Sequence, residues 1–187
     1  EQGDVWHPPN YMMPLAALLR GRTGRVRCVT TIHDGIPMVF PDHAPKSRKT
    51  RLFPIFRALM QEVGKRADAI ITVSDASRRD ILQQLRIPSD AADKVHTVYN
   101  GASEHYTPAA DAAAEPIAPY TLLYVGRADP YKNVDTLIQA LARVRTESSL
   151  PVRLVIAGSP DPRYPQAMAL AKELHLTDAV TWTGYLT

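Results

Sequence analysis

The chain has 187 residues, 45% of them apolar, with a formal net charge of +3 and one cysteine. That length admits one large domain or two small ones. No apolar run approaches the ~18–20 residues of a membrane-spanning helix, and no signal peptide stands at the start. Cys28, being alone, cannot form an internal disulfide. This fits a reducing cytoplasm, and its plainest role is that of a small buried hydrophobe.

The charge is uneven. Residues 1–66 carry 11 Lys and Arg against 5 Asp and Glu, a balance of +6, which leaves −3 for the remainder. "KSRKTR" (Lys46 to Arg51) puts four cations in six positions. It reads either as a solvated loop or as a patch for anionic lipid head groups or an anionic acceptor. There is no basic stripe with interleaved aromatics and no zinc-ligand spacing, so nucleic acid is not an expected partner.

In chain order, "RVRCVTTI" (Arg25 to Ile32) is a strand by its β-branched content. "LFPIFRALMQEVGKRA" (Leu52 to Ala67) places Phe53, Phe56, Leu59, Met60 and Val63 on one helical face. "AIITV" (Ala69 to Val73) is apolar throughout, as expected of a strand buried on both faces. Ser74 and Asp75 offer N-cap oxygens to a following helix with Ile81, Leu82 and Leu85. "KVHTV" (Lys94 to Val98) is a short strand, and Asn100-Gly101 supplies a turn or loop start.

"TPAADAAAEPIAP" (Thr107 to Pro119), with three prolines and one large apolar residue, reads as a linker. Beyond it the alternation resumes. "TLLYV" is a strand, and the next helix carries Val134, Leu137, Ile138, Leu141 and Val144 on one face. "VRLVIAG" is a strand, Gln166 to Leu176 a helix and "AVTWTG" a strand. Strands alternating with helices predict βαβ units, parallel sheets and an α/β fold in two segments.

The stretch "LLYVGRADPYKNVDTL" sets Gly126, Arg127, Lys132 and Asn133 between a strand and a helix. Ligands of doubly wound sheets bind where strands end and helices begin, and a helix N-terminus offers unpaired N–H groups and a positive dipole. Gly126 allows a sharp turn or a close approach. Arg127 can grip a phosphate bidentately, and Lys132 adds a point charge. Asn133 is expected to cap the helix, with Asp135 in its first turn. Two cations there suit a diphosphate, although a solvated loop would also carry them. Neither a phosphate-loop lysine pattern nor G-x-G-x-x-G is present.

At these residues the sequence resembles the retaining family-4 (group 1) glycosyltransferases of GT-B fold. "YVGRADPYKNVDTLIQAL" looks like their donor-diphosphate motif, and "DVWHPPNYMMP", "VTTIHDGIPMVFP", "RADAIITVSDASRRDIL", "VYNG", "LVIAG" and "VTWTGYL" follow in the family's order. The "IHDGIPMVFP" stretch resembles the mannosyltransferase-like branch. The resemblance implies two partial Rossmann-like domains. Residues 1–106 would be the later part of the acceptor-side domain, 107–119 the linker, and 120–187 the first part of the donor-binding domain. Arg127 and Lys132 would hold the donor pyrophosphate, with Gly126 and Asn133 shaping the loop. His33 would stand at the cleft near the transferring sugar or acceptor. Asn100 and Gly101 would lie near the cleft, and Gly158 would approach the nucleotide.

The implied reaction is transfer of a hexose, mannose first, from a nucleotide sugar, GDP-mannose first, to a saccharide or lipid-linked acceptor. Configuration is retained, and neither metal nor other cofactor takes part. The implied setting is the cytoplasm, with peripheral contact at the inner membrane face. Alternatives are a nucleotide-sugar epimerase of the same fold, or a non-catalytic nucleotide-binding or interaction module. His33 could serve a strand-end hydrogen bond, and "HD" would suit a metal phosphohydrolase only with further His and Asp ligands that cannot be placed. Asp34 pairs with a cation or caps a turn. His7 and Tyr11 line an acceptor groove or simply pack. The family's glycine-rich N-terminal loop and its paired glutamates are absent from these residues. The expectation is therefore an internal fragment, inactive by itself, whose unpaired strand edges favour self-association.

Overall fold

A computed structural model of the chain describes residues 5–9, 27–41, 52–107 and 118–186. The basic cluster Lys46 to Arg51, Tyr11 and residues 108–117 of the expected linker lie outside the described residues. The chain divides into two compact units, Glu1–Tyr106 and Thr107–Thr187.

The first unit carries strands β1 (Val5–Trp6), β2 (Arg27–Thr31), β3 (Ala69–Thr72) and β4 (Val95–Thr97), and helices α1 (Ile36–Val39), α2 (Phe53–Arg66) and α3 (Asp75–Gln84). The strands lie in the order β1-β2-β3-β4, every neighbouring pair parallel. In β3, Ile70 and Thr72 are buried on one face while Ala69 and Ile71 are half-buried on the other. The apolar run thus meets cover on both sides, as a strand flanked by crossover helices requires.

Helix α2 opens with a proline in its first turn, where the missing N–H costs nothing. Its inner face is Met60 and Val63, with Phe53 and Phe56 packed at the rim and Leu59 left exposed. Ser74 caps α3, its hydroxyl accepting from the Ser77 N–H at 3.1 Å. Ile81 of that helix and Leu85 at its C-cap join Ile32, Ile70 and Val95 in the core. Arg78 donates to the carbonyls of Val95 at 2.8 Å and Ala92 at 3.2 Å. It thereby ties α3 to β4 and to the 3-10 turn Ser89–Lys94.

The second unit carries β5 (Tyr120–Val125), α4 (Val134–Glu147), β6 (Val152–Ala157), α5 (Gln166–Glu173) and β7 (Val180–Gly184). Its sheet runs β5-β6-β7, again parallel. Ile138, Leu141, Leu154, Ile156, Ala167 and Ala171 form the centre of the core. Val144, expected on the apolar face of α4, is 39% exposed. Strand β5 pairs with β6 on one side and with no other strand among the described residues. Its Leu123 and Val125 are 66% and 74% exposed.

Because all neighbours are parallel, the C-terminal ends of the strands within each unit gather along one edge. His33 follows β2 there, Ser74 follows β3, and Asn100 follows β4. In the second unit Gly126 and Arg127 follow β5, and Gly158 follows β6. No helix among the described residues is long and apolar enough to cross a membrane.

The opposite edge of the first unit is tied by Asp68, just before β3. Its carboxylate accepts from the Cys28 N–H at 2.7 Å and from the Arg27 guanidinium at 2.8 Å. These bonds, the backbone donor first, hold the Asp68 carboxyl below the usual range. A depressed carboxylate contributes stability above its unfolded pKa, about 3.9, and the contribution is lost as pH falls through the folded value. Asp68→Asn is therefore expected to lower the urea midpoint at pH 7, and the gap from wild type should close as pH falls below about 3.9.

Candidate active site

The loop from β5 to α4 is built on backbone geometry that only glycine tolerates. Gly126 has φ +141°, and its N–H donates to the Ala157 carbonyl at 2.9 Å. A Cβ placed on Gly158 would stand 2.1 Å from the Gly126 carbonyl oxygen. Gly158 therefore serves a close approach of two backbone segments at the ends of β5 and β6. The Tyr124 hydroxyl closes the turn by donating to the Arg127 carbonyl at 2.9 Å. Burial raises the pKa of that phenol, with the Asp129 charge adding to it.

Arg127 follows directly. Its Nε donates to Asp129 Oδ2 at 3.0 Å and its Nη2 to Asp129 Oδ1 at 2.5 Å. Asp129 is buried, whereas the arginine side chain is 54% exposed. The Asp129 hydrogen bonds and charge raise the Arg127 pKa further, so the guanidinium is permanently charged. The loop then makes a 3-10 turn, Pro130–Lys132. The Lys132 ammonium sits 5.3 Å from the centroid of the Tyr131 ring and has no carboxylate partner among the described residues.

Asn133 occupies the N-cap position of α4 in the left-handed region, φ 54° and ψ 39°, and its side chain makes no bond to a backbone N–H. Its Oδ1 instead accepts from the Thr136 hydroxyl at 2.8 Å. The expectation of a side-chain cap is thus corrected, because the left-handed backbone turns the amide outward toward Thr136. Among the described residues no side chain caps the first N–H groups of α4.

A cavity of about 140 Å3 lies against this helix start, lined in part by Asp129, Val134, Asp135 and Gln166. Neither Arg127 nor Lys132 lines it. In the loop after β6, Asp161 and Arg163 form a second close pair, Nη2 to Oδ2 at 2.5 Å. The arginine holds the Asp161 carboxyl far below its usual range.

In the first unit, His33 is exposed, and its ring has no hydrogen-bond partner among the described residues. Its backbone carbonyl, at 3.5 Å from the Thr72 hydroxyl, is what serves the strand end. Asp34 accepts from the Ile36 N–H at 3.1 Å and so caps the turn into α1. Asn100 and Gly101 are exposed, and a Cβ on Gly101 would meet nothing within 4 Å. They start a loop, and the turn itself comes later, at Glu104–His105. His7 shares a 2.9 Å hydrogen bond with the Thr31 hydroxyl. Cys28 is buried and its thiol pKa is pushed up, by burial first and by Asp68 second. It is a core residue rather than a nucleophile. No group of three or more candidate metal ligands occurs among the described residues.

Residues 1–106 match the profile of Glycosyltransferase Family 4, and residues 110–187 that of Glycosyl transferases group 1. The chain belongs to this family of glycosyltransferases. It is 29% identical over 161 residues to the O-antigen chain mannosyltransferase B of Escherichia coli, a match covering 82% of this chain and 38% of the relative. The chain therefore spans about two fifths of the length of that curated relative.

Among solved structures, it resembles sucrose-phosphate synthase from Thermosynechococcus elongatus, with a TM-score of 0.70 and 21% identity over 98% of this chain and 45% of that one. It also resembles Anabaena Alr3699/HepE in complex with UDP and glucose, with a TM-score of 0.68 and 18% identity over 98% and 48%. The fold is thus that of the GT-B glycosyltransferases, with Rossmann-like parallel sheets.

Sequence reasoning missed Asp129, Asp161 and Arg163. The signal was there in "RAD" and "DPR", where an arginine and an aspartate stand two residues apart in loops that leave adjacent strands. Gly158→Ala is expected to destabilise the protein by roughly 1–3 kcal/mol, because backbone rather than a flexible side chain must give way. Thermal unfolding would show it as a lowered midpoint.

Proposed function

We propose that the complete protein transfers a hexose, mannose in the first instance, from a nucleotide-sugar donor to a saccharide or lipid-linked acceptor with retention of configuration. The observation that carries this reading is the loop between β5 and α4. There a permanently charged guanidinium, an ammonium with no carboxylate partner and an uncapped helix start succeed one another within ten residues, 127–136. As the bond from the sugar to the diphosphate breaks, negative charge grows on the leaving oxygens. Fixed cations and helix N–H groups stabilise that charge more in the transition state than in the bound donor.

Arg127 and Lys132 hold the diphosphate in this reading, and Gly126 and Asn133 set the loop's shape. Gly158 keeps the β6 end close to that loop and to the nucleotide. In this reading His33, exposed at the end of β2, serves the reacting sugar or the acceptor hydroxyl, and Asn100 and Gly101 lie at the same strand-end edge of the first unit. The chemistry takes no metal. Mannose draws support from the Escherichia coli O-antigen chain mannosyltransferase B, and a nucleoside diphosphate from the UDP complex of the Anabaena structure; GDP is the first donor this reading would test. A lipid-linked acceptor at the cytoplasmic membrane face would meet the basic cluster Lys46 to Arg51.

Calorimetry of the complete protein with GDP and UDP tests the donor site. Arg127→Ala and Lys132→Ala are each expected to weaken nucleoside diphosphate binding by at least about tenfold, the worth of roughly 1.5–3 kcal/mol for a hydrogen bond to a charged group. Unchanged affinity in both variants would remove the donor-site reading. Absence of any nucleotide binding by the wild type would favour an interaction module.

A further inference from the structure

We propose that Asp129 is a positioning residue for the anion site: it clamps one edge of the Arg127 guanidinium so that the other edge is presented, already oriented, to a diphosphate. This rests on the reading of Arg127 as a diphosphate ligand.

The stereochemistry decides between a clamp and a competitor. A guanidinium has five N–H donors on a rigid plane, enough for two bidentate acceptors on different edges. Asp129 uses Nε and Nη2. The edge formed by Nη1 and the second Nη2 hydrogen has no partner among the described residues, and the side chain is 54% exposed. A phosphate can therefore be gripped without displacing the carboxylate.

The carboxylate is the fixed member of the pair. Asp129 is only 7% exposed, and its carbonyl accepts from the Lys132 N–H at 2.8 Å, which sets it in the turn leading to α4. The arginine's own backbone is fixed by the Tyr124 hydroxyl on its carbonyl. A long, flexible side chain is thus held at both ends, and little rotamer freedom is left to lose when an anion binds. The carboxylate offsets part of the guanidinium's charge, so the clamp acts by fixing the direction of the free N–H edge and not by adding to the field.

A double-mutant cycle tests the assignment, with inorganic pyrophosphate, GDP and UDP titrated into the complete protein. Asp129→Asn keeps the shape and is expected to weaken all three ligands about tenfold in the wild-type background, and to have no further effect in Arg127→Ala. A purely structural role would cost the same in both backgrounds and would overturn the proposal. Tighter binding by Asp129→Asn would make the carboxylate a competitor and would overturn it too. If Arg127→Ala leaves pyrophosphate affinity unchanged, the diphosphate reading itself has failed. If Arg127→Ala weakens binding and Asp129→Asn does not, only the positioning role has failed.

NMR of the wild type tests the geometry without any variant. The Arg127 Nε–H should stay protected from exchange when pyrophosphate is added, while the Nη protons shift. Loss of that protection on binding would show the clamp being broken, against the proposal.

Discussion

Everything at the mouth of the second sheet depends on two backbones touching. Gly158 lies so close to the Gly126 carbonyl that no side chain fits between them. That contact welds the exit of β6 to the exit of β5. The chain after Gly126 then runs into the 3-10 turn Pro130–Lys132. Arg127, Asp129 and Lys132 inherit their positions from this constraint, and Tyr124 reinforces it from the strand below. Interior density of this kind transmits small shifts rather than absorbing them, so the loop's geometry is a property of the packed sheet.

The fold was largely readable because its elements are long and periodic. The strands at 27–31, 69–72 and 152–157 and the helices at 53–66 and 134–147 stand within a residue or two of where β-branched runs and helical spacing put them. Ser74 caps as its type and place imply. The pieces that escaped are short. Val5–Trp6 is too brief to show a period, Ile36–Val39 begins on Ile-Pro, and Ser89–Lys94 and Pro130–Lys132 are tight turns held by local bonds. The exposure of β5 was also hidden, since an apolar run reads the same whether or not a neighbour covers it.

The candidate site was legible at the level of residue type and blind at the level of partner. Glycine, arginine and lysine between a strand and a helix are the residue types an anion site uses, and a solvated loop can carry them too. That Asp129 would be the buried residue and Arg127 the exposed one does not follow from spacing. Nor does the left-handed backbone at Asn133, which exchanges a helix cap for a bond to Thr136. Gly158 shows the reverse: its type was noticed for a ligand's sake, and the structure gives it a packing reason first.

The two loops leaving β5 and β6, with the start of α4, carry Arg127, Lys132 and Arg163 beside Asp129, Asp135 and Asp161, three cations balanced by three carboxylates. Seen from more than a Debye length away, such an array is almost neutral. It has no far-reaching field with which to draw in polyanions indiscriminately or to speed encounters by steering. If the loop holds the proposed diphosphate, its selectivity is that of a lock felt only at contact, open to a compact anion that reaches the bare guanidinium edge and indifferent to the diffuse charge of a nucleic acid chain passing by.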